Sequence, residues 1–160
     1  MAARTQASIA GILREELLGL QQRIAANIIN TGRQATGKTI RSMKVQVSQL
    51  SGVLTGRQAF STLERGSRPW ARQYSRPPRW FAELIQQWID AKRLDLNAYA
   101  VASNLMRKGS DLYRAGGGAT DVYTEEIPRT LRNIGARLAD RYGYLVTDRL
   151  NTNSKEIIEI

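Results

Sequence analysis

Apolar residues recur at three- and four-residue steps from Ser8 to about Thr31. Ile9, Ile12, Leu13, Leu17, Leu20, Ile24 and Ile28 fall on one stripe, which predicts an amphipathic helix, with Gly32 as its stop. At Met43 the period shortens to two. Met43, Val45 and Val47 alternate with Lys44, Gln46 and Ser48, Gly52 interrupts, and a second β-favouring stretch runs from Val53 to Phe60, so a hairpin or small antiparallel sheet is expected. Residues 61–79, STLERGSRPWARQYSRPPR, hold three of the four prolines and predict a long, positively charged loop. Helical spacing resumes at Trp80, Phe81, Leu84, Ile85, Trp88 and Ile89, a stripe expected to bury two indoles and a phenyl ring in the core. A third helix is expected between Asn97 as N-cap and Gly109 as stop.

Gly116, Gly117 and Gly118 make Ser110 to Thr120 read as a flexible loop. In the final helix Thr124 is the candidate cap, Glu125 and Glu126 suit the positive end of the dipole, and Ile127, Leu131, Ile134, Leu138, Tyr142 and Leu145 form the apolar seam. Pro128 falls late for the first turn of a helix capped there and pulls the expected start toward itself. The last ten residues, NTNSKEIIEI, read as a polar linker followed by the apolar, alternating-charge segment Lys155 to Ile160, either a frayed tail or a strand that pairs with a neighbouring subunit. The fold class that follows is α+β: a small antiparallel sheet flanked by a long N-terminal helix and several C-terminal helices. Residues 1–160 read as a single domain, with an α+β core over 1–95, a helical part over 96–150 and a tail over 151–160.

Composition narrows the chemistry. The 160 residues include 24 Lys+Arg against 14 Asp+Glu, a net charge of +10, and this excess points to phosphate-rich or acidic partners. The chain has neither Cys nor His, which removes disulfides, Ser-His-Asp and Cys-His catalysis and the usual zinc ligand sets. Glu15 and Glu16 interrupt the first apolar run before it reaches signal-peptide length, and no segment approaches the ~20 apolar residues of a membrane span, so a soluble protein with no membrane partner is expected.

One motif matches and fails on context. GRQATGKT, Gly32 to Thr39, satisfies the P-loop pattern, in which Lys38 would reach phosphates and Thr39 would hold magnesium. That chemistry needs a buried strand before the loop and a helix after it, whereas here a helix precedes Gly32 and strand-like alternation follows Thr39. The acidic pairs Glu125/Glu126 and Asp90/Asp95 suit solvated faces or a helix dipole better than acid–base work, because near neighbours in sequence diverge on a helix.

The basic loop interleaves cations with aromatics. Arg57, Arg65, Arg68, Arg72, Arg76 and Arg79 surround Trp70 and Tyr74, with Glu64 as the loop's one acid. Such a composition serves single-stranded nucleic acid, where rings stack on bases and arginines track phosphates. It serves protein interfaces as well, and prolines make a stiff arm that loses little entropy on docking, so the interface reading is preferred.

The order of short motifs adds a resemblance. An N-terminal helix leads into TGKTIRSMKVQV, a hairpin, FSTLERGSRP and then PPRWFAELI. This order resembles the head–tail connector and tail-completion (neck) proteins of tailed bacteriophages, in which a helix runs into T-G-x-[LI]-x-x-S-[IM], a strand ends in E-x-G-[ST]-R, and a loop leads to a P-P-R-x-[FW] helix start. Thr36, Gly37, Ile40, Ser42 and Met43 match the first motif loosely, Glu64, Gly66, Ser67 and Arg68 the second, and Pro77, Pro78, Arg79 and Phe81 the third. The likeness covers roughly the first 90 residues; the helices after Asn97 have no counterpart in it.

The resemblance implies a structural virion protein, not an enzyme, made in the host cytoplasm and placed in the neck or tail-top region. Copies would form a homo-oligomeric ring at the portal–tail junction, in contact with portal, adaptor and tail proteins and, non-specifically, with packaged DNA. No cofactor or metal is implied. The interface candidates are Arg57, Glu64, Arg65, Arg68, Trp70, Arg72, Tyr74, Arg76 and Arg79. The alternative from a different class is a small basic nucleic-acid-binding protein acting in phage replication or packaging.

Overall fold

The computed structural model describes residues 8–72, 74–116, 119 and 121–158. Helix α1 spans Ile9–Asn30, capped by Ser8, whose hydroxyl accepts from the Gly11 N–H at 3.0 Å. Its stripe does what the spacing predicts: Ile12, Leu17, Leu20, Ile24 and Ile28 are buried. After the single helical turn α2, Lys38–Arg41, strands β1 (Lys44–Val47) and β2 (Gly52–Thr55) pair antiparallel, with Val45 opposite Leu54 and Val47 opposite Gly52. Val45, Val47 and Leu54 turn toward α1 and join Leu17, Leu20, Ile24, Ile28, Met43 and Val122 in the first core. The α+β class read from the sequence is the class observed.

A second core lies between helices. In α4 (Arg79–Lys92) and α5 (Ala98–Lys108), Ile85 and Ile89 pack on Ala98 and Ala102, with Phe81, Val101 and Leu105 around them. Asn97 caps α5 by accepting from the Ala100 N–H, and Gly109 ends it, as the sequence predicts. An apolar groove of about 660 Å³, lined by Leu63, Ile85, Trp88, Leu96, Leu105 and Leu112 among others, runs beside the α4–α5 pair.

The two halves meet where α3 (Thr62–Arg65) and α5 end on the same tripeptide type, Arg65-Gly66-Ser67 and Lys108-Gly109-Ser110. The Ser110 N–H donates to the Ser67 carbonyl and the Ser67 N–H to the Ser110 hydroxyl, both at 2.9 Å. Both glycines have φ 73°, a left-handed value that side chains resist. Neither has room for a Cβ, which would lie 2.5 Å from Ser110 Oγ and the Tyr113 nitrogen at Gly66, and 2.5 Å from the Ser67 carbonyl at Gly109.

Helix α7, Glu126–Ile158, runs antiparallel to α1. Polar contacts fasten it: Arg23 reaches Glu126 and Thr130, both at 2.7 Å, Arg137 reaches Glu15 at 2.5 Å and Glu16 at 2.9 Å, and Asn27 donates to the Val122 carbonyl. Thr130, on this inward side, is 2% exposed. The predicted apolar seam lies to one side of these contacts, so Ile127, Leu131, Tyr142 and Leu145 are exposed, with Leu131 at 63%.

Other expectations need correction. The β-favouring run to Phe60 stops at Thr55, because the Arg57 N–H bonds the Ser42 hydroxyl and Phe60 turns inward to stack on Tyr123 at 5.1 Å. A 3-10 turn, Gln58–Ser61, and α3 follow, so the start of the expected loop is helical. Within the loop expected after Ser110, that residue caps the short helix α6, Asp111–Arg114; Gly117, Gly118 and Thr120 lie outside the described residues. The last helix begins at Glu126, between the candidate cap Thr124 and Pro128 as expected, which puts Pro128 third in its first turn. The expected tail is helix as far as Ile158, since no Gly or Pro after Gly143 stops α7; the last two residues lie outside the described ones. Trp80 and Trp88 are exposed, not core, because the small Ala82 together with Ile85 and Ile89 occupies the face toward α5. Packing also crosses residue 95: α5 pairs with α4, and α7 with α1.

If the paired glycines set this junction, Gly66→Ala and Gly109→Ala each lower folding stability by about 1–3 kcal/mol in urea denaturation, whereas Gly135→Ala, in open helical space, has no such cost.

Candidate functional site

The loop begins on a buried acid. Glu64, 3% exposed, sits in α3 with its side chain directed at the turn that precedes α7. Its Oε1 accepts from three consecutive backbone N–H groups, Val122 at 2.9 Å, Tyr123 at 2.7 Å and Thr124 at 3.0 Å, and its Oε2 accepts from the Thr124 hydroxyl at 2.5 Å. Burial alone would raise the carboxyl's pKa, but the Thr124 hydroxyl and the N–H groups of Thr124, Tyr123 and Val122 outweigh it and hold the group below its ordinary 4.5. Glu64 is thus consumed inside the chain and does not belong among the interface residues. The Thr124 hydroxyl, read from sequence as a helix cap, donates to it.

From Gly66 the chain forms an arm that lies against the end of α5 and the start of α4. The Trp70 N–H donates to the Met106 carbonyl at 2.9 Å, and Pro77 and Pro78 lead into α4, whose first residue is Arg79. Trp70 is the hub of an aromatic cluster. Its ring stacks on Trp80 (centroids 5.8 Å apart, planes 20° apart), contacts Phe81 at 4.9 Å and meets the Tyr74 edge at 6.0 Å. Trp80 is 60% and Tyr74 40% exposed, and the Arg72 guanidinium lies 5.3 Å from the Tyr74 ring centroid.

Of the arginines around this platform, one has a carboxylate partner among the described residues. Arg79 pairs with Glu83 one turn along α4. Among the described residues, no carboxylate lies within ion-pair distance of Arg57, Arg65, Arg68, Arg72 or Arg76, and all five are exposed. Many of the acids are engaged elsewhere: Asp121 with Arg33, Asp111 with Arg114, Glu126 with Arg23, and Glu15 and Glu16 with Arg137. Of the acidic pairs weighed as acid–base candidates, Glu126 is held by Arg23 and Asp90 accepts from Gln86. The structure therefore brings Trp70, Tyr74, Arg72 and Arg79 to one surface, with Arg68 and Arg76 on the same arm and Arg65 at the end of α3; Arg57 lies upstream, after β2.

The P-loop-like segment keeps the element order expected of it, helix before and strand after, with one helical turn between. Its Lys38 donates to Gln87 Oε1 at 3.0 Å and Arg41 to the Thr36 carbonyl at 2.9 Å. Among the described residues, no group of three or more acidic side chains could hold a metal ion, and no helix is long and apolar enough to cross a membrane. No protein-family model matches the chain, and no curated protein or solved structure matches it.

Replacing Glu64 by Gln keeps its size and removes its charge, and is expected to cost about 1.5–3 kcal/mol near neutral pH, the range for hydrogen bonds to a charged group. Because the folded carboxyl titrates below 4.5, its contribution is present above the ordinary carboxyl range and is lost as pH falls through the lower, folded value. Urea denaturation at several acidic pH values should show a flatter acid loss in Glu64→Gln than in the parent.

Proposed function

We propose that this chain is a structural subunit of a tailed-bacteriophage particle, a connector or tail-completion protein whose copies form a ring at the head–tail junction. The observation that carries this reading is the outward apolar side of α7. Ile127, Leu131, Tyr142 and Leu145 recur along one side of this helix and are exposed, while its inward side makes ion pairs with α1. Exposed apolar side chains repeated along one helix side mark a candidate interaction surface, and contact between unlike surfaces of identical copies closes a ring when the rotation permits.

The resemblance supports the same reading through the roles its motif residues take. Glu64, Gly66 and Ser67 make the junction that seats the arm, and Pro77 and Pro78 launch α4. Neighbouring copies, portal or adaptor proteins and tail proteins are the partners in this proposal, and the reading needs neither a catalytic group nor a cofactor. A second reading, a small nucleic-acid-binding protein of replication or packaging, is favoured by one observation, the exposed arginines of the arm that have no carboxylate partner among the described residues.

Quantitative mass spectrometry of purified phage particles should find this chain at a ratio to the major shell protein that fits one or a few closed rings. Its absence from particles would favour the second reading. A Leu131→Glu, Tyr142→Glu variant should fold normally by circular dichroism and fail to enter particles; normal incorporation would show that α7 does not carry the contact.

A further inference from the structure

We propose that the end of α3, the arm that follows it and the start of α4 form a sequence-independent binding site for single-stranded nucleic acid, with phosphates on Arg65, Arg68, Arg72 and Arg76 and an unpaired base on the open face of Trp80. The inference does not rest on the ring reading. Charge complementarity selects the occupant: these arginines are exposed and have no carboxylate partner among the described residues, in a chain of net charge +10. A second copy suits them poorly, since many of its acids are already bound internally.

Two features favour a nucleic-acid strand over an acidic protein. The arginines recur every three or four residues along a Pro-containing arm, which suits a repeating charge. Trp80 is laid nearly parallel against Trp70 and is 60% exposed, so it presents a flat face, as base stacking requires, where a protein hot spot would more often insert its ring into a pocket. Trp70 and Phe81 hold that face in place, so little order must be gained on binding.

Fluorescence anisotropy with a labelled mixed-sequence oligonucleotide, single-stranded and as its duplex, tests this across a salt series. The slope of log K against log salt for the single strand should be about −3, for four phosphates at about −0.7 each. Arg68→Glu, Arg72→Glu, Arg76→Glu should weaken binding at least tenfold more than a charge-matched control, Arg107→Glu, Arg129→Glu, Arg132→Glu, with substitutions outside the arm. Trp80→Ala should weaken single-strand binding about tenfold, the scale of one lost base stack, with little change for duplex, and Trp80→Phe should restore most of it. Equal loss in the arm variant and the control would assign binding to overall charge and overturn the proposal. So would an unchanged Trp80→Ala, the result expected if the arm instead docks on an acidic protein. Incorporation of the unaltered chain into particles tests the ring reading separately, so the two proposals can fail independently.

Discussion

The carboxylate of Glu64 accepts three consecutive backbone N–H groups and a hydroxyl from residues 122–124, and through it the middle of the chain is fastened to the start of its last helix. N–H groups that precede a helix have no intrahelical partner, and a negative charge there is further stabilised by the helix dipole. Val122 is part of the first core, Tyr123 packs against it, and Phe60 stacks on Tyr123. Without the carboxylate the N–H of Val122, which is fully buried, would be left unsatisfied. The position of α7 along α1 and the departure point of the arm both follow from this contact.

The glycine junction performs the matching task for the second core. Two backbone strands approach at Gly66 and Gly109 to a distance at which no side chain fits, and reciprocal bonds from Ser67 and Ser110 lock them. The arm leaves from this point, and the aromatic cluster around Trp70 lays it against α4. A surface rich in uncompensated charge is held on a stiff base, so repulsion among the arginines does not have to be countered by flexibility.

Both proposed contacts share a physical logic. The helix α7 uses ion pairs to hold α1 and leaves its apolar side uncovered, and the arm uses aromatic packing inward and leaves its cations uncovered. In each case the groups that stabilise the fold differ in kind from those left for a partner. The contacts that hold the fold therefore do not use the groups that the two proposals assign to partners.

Much of this was legible in the sequence. The stripe from Ile9 to Ile28, the Met43–Val47 alternation and the Asn97 and Gly109 stops are local signals, set by helical or strand period and by cap chemistry, and they appear where the chain predicts them. The arginine–aromatic composition of residues 57–80 also marked the candidate surface. Glu64 as the lone acid in that stretch and the two Gly-Ser steps at 66–67 and 109–110 were visible signals too, but their meaning depends on partners 43 to 60 residues away. Periodicity reports that α7 and α4 each have an apolar side; it does not say where a neighbour lies. Only the tertiary structure decided that Glu64 is buried, that Trp80 faces solvent and that α7 turns Glu126 and Arg137 toward α1, because burial is a property of what packs against a residue and not of the residue's place in its own helix.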